Sequence, residues 1–224
     1  MAAMLQFNPA YAEKIDAAVA AYKDSNYLKA FKLFQPLAEK NDIQAQVALG
    51  YMFQQGLGVK QDFGQSFIWN KKAAEKGSDE GQYNLAVLYD EGNGVHQDKN
   101  LAFIWYKKAA EQGNAAAEYN IGHMFEEGAT IKQDFKQSVN WYRKSAQQGF
   151  PEAQFNLARL YVLAKGVKPD AVRCYVWSSF AATSGIESAS QLRKIIETKM
   201  TSAQITEAQK LINLCGNNNY NRCD

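Results

Sequence analysis

The chain has 224 residues, 46% of them hydrophobic and 21% charged, a balance that excludes a disordered polymer and leaves ample length for a core. Its 25 basic and 23 acidic residues are interspersed and leave a net charge of +2, which argues against a nucleic-acid partner. No apolar run approaches the roughly 20 residues of a membrane span. Four prolines interrupt a chain rich in helix-forming alanine, leucine, lysine, glutamate and glutamine, so an all-α fold is expected.

The opening MAAMLQFNPAYAEK lacks the basic end and apolar stretch of a signal peptide. The segment YAEKIDAAVAAYKDSNYLKAFKLFQPLAEKND then reads as a short helical hairpin with its turn at Asp24–Asn26. Pro36 removes one hydrogen bond near the end of the second helix and should kink it.

From residue 42 the chain repeats itself at intervals of 36. WNKKAAEKG at 69–77 returns as WYKKAAEQG at 105–113 and WYRKSAQQG at 141–149. Trp69, Trp105, Trp141 and Trp177 form one column, Gly77, Gly113, Gly149 and Gly185 another, and Asp62, Asp98, Asp134 and Asp170 a third. Small residues recur at Ala45, Gly81, Ala117 and Ala153, and again at Gly50, Ala86, Gly122 and Ala158. In the first half of a copy, Ala45, Leu49, Met52 and Phe53 share one helical stripe. Gly56 supplies the positive φ that ends that helix. Asp62 and Asp134 are expected N-caps of the second helix, with Gln65 and Gln137 at capping-box spacing. Each copy is thus a helix-turn-helix hairpin too small to hide its own apolar face. Stacking on its neighbours buries that face.

After Gly185, IESASQLRKIIETKM and TSAQITEAQKLINL read as two capping helices, the second opened by a Thr201–Gln204 capping box. Lysine and glutamate on their outer face suit a solubilising end. The final CGNNNYNRCD is polar and reads as loop or tail.

The pattern A-x-x-x-LG-x-x-(Y/F)-x-x-G-x-GV-x-x-D followed by W-x-x-x-AA-x-x-G closely resembles the Sel1-like repeats, relatives of the tetratricopeptide repeat. It covers residues 42–185, with mild departures at Thr130, Ala164 and Ser145. The resemblance implies a right-handed α-solenoid. The organisation expected is a tetratricopeptide-like hairpin over 1–41, repeats over 42–77, 78–113, 114–149 and 150–185, capping helices over 186–214, and a tail over 215–224.

Cys174 shares the small-residue column of Ser66, Ala102 and Ser138, so a buried, inert thiol is expected there. Cys215 and Cys223 allow two readings: a disulfide clipping the tail onto the last helix in an oxidising compartment, or two free cytosolic thiols. Exported proteins with similar repeats often end in such a pair, which favours the first. The expectation is an exported, periplasmic bacterial protein whose signal segment would precede this start, with a cytoplasmic protein as the alternative.

His96 and His123 lack ligand spacing to a cysteine, so neither a metal nor another cofactor is expected. His96 stands in the loop column of Lys60, Lys132 and Lys168 and reads as solvated. No phosphate loop, H-E-x-x-H or G-x-S-x-G is present. Relatives of this repeat have been linked to β-lactam binding or slow hydrolysis, which makes that activity the alternative function. No serine here is followed three residues later by lysine, so the serine-type signature is missing. Glu75, Glu111, Glu126 and Glu127 read as a solvated helix face.

The leading expectation is a non-enzymatic adaptor, favoured as a monomer, that takes a protein or extended peptide segment in the concave groove. First helices line that groove in superhelical arrays. Helical spacing from residue 44 gives three columns there: Ala48, Asn84, Asn120 and Asn156; Tyr51, Val87, His123 and Arg159; and Gln55, Glu91, Glu127 and Leu163. The asparagines could bond a peptide backbone, since an amide both donates and accepts, or could bond neighbouring helices within the array. Tyr51, Val87, His123 and Arg159 would add specificity, Arg159 toward a carboxylate.

Overall fold

A computed structural model describes residues 9–217, 220 and 223, with side chains from residue 12. The beginning of the opening segment and residues 218, 219, 221, 222 and 224 of the expected tail lie outside the described residues. Among the described residues there are twelve helices and no strand. In chain order they are α1 (Pro9–Lys23), α2 (Tyr27–Glu39), α3 (Ile43–Gln55), α4 (Phe63–Glu75), α5 (Asp79–Glu91), α6 (Lys99–Glu111), α7 (Ala115–Glu127), α8 (Phe135–Gln147), α9 (Pro151–Leu163), α10 (Ala171–Thr183), α11 (Glu187–Glu197) and α12 (Ser202–Gly216). They are stacked hairpins of the α-solenoid class, grouped in two compact units divided within α6 between Trp105 and Tyr106.

Local chemistry sets the hairpin ends. Asp62 and Asp134 accept the Gln65 and Gln137 backbone N–H groups through their carboxylates, and Asp170 accepts that of Arg173. The two-way capping box forms at Thr201 with Gln204. First helices α3, α5 and α7 close on Gly56, Gly92 and Gly128 at φ of 69°, 75° and 72°. At the fourth such position Ala164 adopts the same left-handed conformation, at φ 54°. The loop glutamines hold the turns, a role not visible in the sequence motif. Gln61, Gln97 and Gln133 donate through Nε2 to the Gln54, Asp90 and Glu126 carbonyls at 2.7–2.8 Å.

In the first unit the core runs from Ala18 and Ala21 through Phe34, Leu37 and Ala38 to Ala45, Leu49 and Met52. Close helix approach depends on Gly50. A Cβ there would lie 2.5 Å from the Asn70 side-chain nitrogen, whereas Asn70 itself is fully buried under the glycine. Gly122 does the same for the Tyr142 ring in the second unit.

The second unit's core includes Leu157, Leu160, Val176 and Trp177. Helices α11 and α12 both pack on α10, where Trp177 is fully buried, while Trp69 and Trp141 remain half-buried. Lys72 and Lys144 lie over those two rings, 4.2 and 4.1 Å from their centroids. Helix α12 continues past the expected boundary at 214 to Gly216, carrying Cys215 with it. A disulfide joins Cys215 to Cys223, and both are fully buried. Tyr220, inside that loop, stacks edge-on against Phe180 at 5.0 Å. Cys174 is buried as well, and desolvation pushes its thiol up to about 12.

Candidate functional site

A cavity of about 360 Å³ opens in the first unit between three consecutive first helices. From α3 come Gln44, Val47, Ala48 and Tyr51, spaced i, i+3, i+4 and i+7 and therefore on one face. One repeat later, α5 supplies the same columns through Glu80, Tyr83 and Asn84. Val19 and Tyr22 of α1 form the remaining wall, and buried Phe34 of α2 the floor. Tyr51 stands 42% exposed, so its ring is available at the surface. Burial, then the neighbouring phenols of Tyr51 and Tyr27, raise the Tyr22 hydroxyl above its ordinary range and keep it neutral.

Of the predicted partner-binding residues, Tyr51 and Asn84 thus line one cavity. Val87, also in the first unit, is half-buried on α5 and does not line it. Asn84 carries a second commitment, because its Nδ2 donates to the side-chain oxygen of Asn70 at 3.2 Å. Asn70 in turn donates to the Ser66 carbonyl and hydroxyl at 3.0 and 3.2 Å. The column of Val47 and Tyr83 and the contribution of α1 were not among the residues expected from the sequence. The available signal was the i+3 partner of position 44, which lies on the same helical face.

The other four candidates belong to the second unit. Asn120 is half-buried on α7. His123 on the same helix lies 3.6 Å from the Glu127 carboxylate, both about half exposed. Asn156 hydrogen-bonds Tyr119, whose hydroxyl is raised chiefly by burial and then by the Glu152 charge. Arg159 is not a free carboxylate receptor: its guanidinium donates to Glu126. The Tyr142 hydroxyl donates to the other oxygen of that carboxylate at 3.0 Å. Burial and this anion raise the Tyr142 hydroxyl far above its ordinary range.

The Glu126 side chain is therefore only 13% exposed, which corrects its reading as part of a solvated face. The surface column brings it under Arg159 and Tyr142. Glu75, Glu111 and Glu127 do stay exposed, each within 3.6–3.9 Å of a basic side chain one turn away. Among the described residues no group of three or more histidine, cysteine, aspartate or glutamate side chains is placed to hold a metal. Nor is any helix long and apolar enough to cross a membrane.

Repeated hairpins with a cavity along consecutive first helices define a helical-repeat protein of the α-solenoid class. The chain belongs to the Sel1 repeat family, whose model matches residues 21–42, 43–78, 79–114, 115–150 and 151–186. Repeats of this family typically serve as protein-interaction scaffolds. A Sel1 repeat protein of Oxalobacter formigenes is 31% identical, with a TM-score of 0.75 over 80% of this chain and 73% of that one. A protective antigen of uropathogenic Escherichia coli with an SLR fold is 30% identical at a TM-score of 0.58 over 90% of this chain, which spans only 52% of that one. A Sel1 repeat protein of Klebsiella pneumoniae subsp. pneumoniae, 18% identical at a TM-score of 0.54 over 84% of this chain and 93% of that one, shares the fold. No curated protein was found to match the chain.

Proposed function

We propose that this protein is a non-enzymatic adaptor that takes an extended peptide segment of a protein partner in the groove between α1, α3 and α5. The observation that carries the reading is the cavity itself, which puts exposed Tyr51 beside apolar Val19, Val47 and Ala48 and the amides of Gln44 and Asn84. Aromatic and apolar walls with a few polar groups suit a peptide: the walls take a side chain and the amides take its backbone. Asn84 spends one donor on Asn70 and leaves its carbonyl oxygen and second N–H for a ligand. Because Asn156 and Arg159 are already engaged within the protein, the reading rests on the first unit.

The test is panning of a displayed library of linear peptides against the wild type and an Ala48→Trp variant that fills the groove. Peptides held by the wild type and lost by a variant of unchanged helical circular dichroism support the adaptor. Equal recovery by both places binding elsewhere. The buried Cys215–Cys223 disulfide also supports an oxidising setting, and we propose a bacterial envelope location. Thiol alkylation of intact cells that finds both cysteines reduced would contradict it.

A further inference from the structure

The groove has one charged lining residue, Glu80. Its side chain is exposed in the first turn of α5, and no cation of the described residues pairs with it. Around it the lining is aromatic and apolar, with Tyr22, Tyr51 and Tyr83 contributed by three separate helices. A pocket holding one carboxylate, three phenol rings and no cation discriminates by sign. An ammonium or guanidinium gains from the anion and from the ring faces, whereas an acidic side chain gains from neither. The apolar walls suit the methylene stem of a long basic residue, whose charged head can remain at the wet rim. Lys72 and Lys144 of this same chain show the ring-face contact, their ammonium groups lying over Trp69 and Trp141.

We infer that the groove selects a peptide segment anchored by a lysine or arginine, its charge against Glu80 and its stem among Tyr22, Tyr51 and Tyr83. The inference rests on the adaptor reading and adds the chemistry of the partner.

A positional-scanning library of short capped peptides, measured by fluorescence anisotropy on the full chain, tests it. Bound sequences are expected to share a basic residue at one position. Replacing that residue by norleucine should weaken binding about tenfold, and salt should weaken the basic peptide selectively. On Glu80→Gln the same replacement should cost less than about threefold. Because Glu80 is exposed and unpaired, this variant should melt with the wild type. Bound peptides with aromatic or acidic anchors, or a basic preference undiminished in Glu80→Gln, overturn the inference and leave the adaptor standing. No binding by any member of the library overturns both.

Discussion

The side-chain amide of Asn84 donates to the side-chain oxygen of Asn70 at 3.2 Å and so ties α5 to α4. Asn70 is fully buried, and its own amide is committed to Ser66. It also fills the space that Gly50 leaves open. Removing Asn84 strands one acceptor, whereas removing Asn70 opens a cavity and strands several groups. Asn84→Ala should cost about 1 kcal/mol and Asn70→Ala about 2–3 kcal/mol. Gly50→Ala should cost about 1–3 kcal/mol, because the pinned amide cannot retreat. Chemical denaturation of the three variants checks the order, and an Asn70→Ala as mild as Asn84→Ala would refute it.

Gln46, Gln82 and Gln154 each donate through Nε2 to the carbonyl eight residues earlier, at 3.1–3.3 Å. Glu118 occupies the same column, is 4% exposed, and accepts from Gln148 at 2.8 Å. Burial raises its carboxyl above the ordinary value, against the lowering influences of Gln148 and Lys144. The folded protein therefore holds this proton more tightly than the unfolded chain. The associated stability is complete below the ordinary carboxyl range and is lost as pH rises through the raised folded value. Glu118→Gln restores a donor and removes the titration. It should gain about 1 kcal/mol near neutral pH, with the gain shrinking toward about pH 4. A difference that stays constant across that range would refute the assignment.

Gln154 has an unpartnered buried oxygen, Oε1. In two corresponding places a long side chain reaches the acceptor: Lys76 bonds Gln46 at 3.3 Å, and Gln148 bonds Glu118. Ser184 stands in that column, too short to reach, and its hydroxyl is turned to the Phe180 carbonyl. Its backbone, at φ −86°, matches Lys76 at −89° and Gln148 at −88°. Ser184→Gln should therefore stabilise by about 0.5–1 kcal/mol. The gain should disappear in a Gln154→Leu background, as a double-mutant cycle would show.

Ala164 holds a left-handed conformation, φ 54° and ψ 35°, where the other repeats use glycine. A Cβ disfavours that region by about 1–2 kcal/mol, partly offset by the greater entropy glycine gives the unfolded chain. Ala164→Gly should raise stability by about 0.5–1 kcal/mol, read as a higher melting temperature. A lower one would mean the αL geometry is not held in solution.

The Cys215–Cys223 bridge closes a short loop onto the core that holds Phe180 and Ala208. Loop-closure entropy assigns such a bridge about 2–3 kcal/mol. Melting with and without reductant should differ accordingly, while a Cys215→Ala, Cys223→Ala variant should be indifferent to reductant. An unchanged wild-type melt in reductant would show that the bridge adds no stability.

What the sequence determined is local: the 36-residue period, the hairpin unit, the aspartate caps and the left-handed glycine turns. Each of these is set within a few residues by backbone conformation and helical phase, so spacing alone exposes it. Tertiary structure decided where each column's chemistry is spent. Glu126 lies on a surface column but is pinned by Arg159, 33 positions away, and by Tyr142. Asn84 shares its column with Asn156, yet one bonds Asn70 and the other Tyr119. The groove draws Tyr22 from α1, which precedes the four 36-residue copies. Whether a side chain faces solvent, a neighbouring helix or a cavity depends on the length and charge of residues about a repeat away. Helical periodicity fixes direction from the axis; it carries no information about what stands opposite.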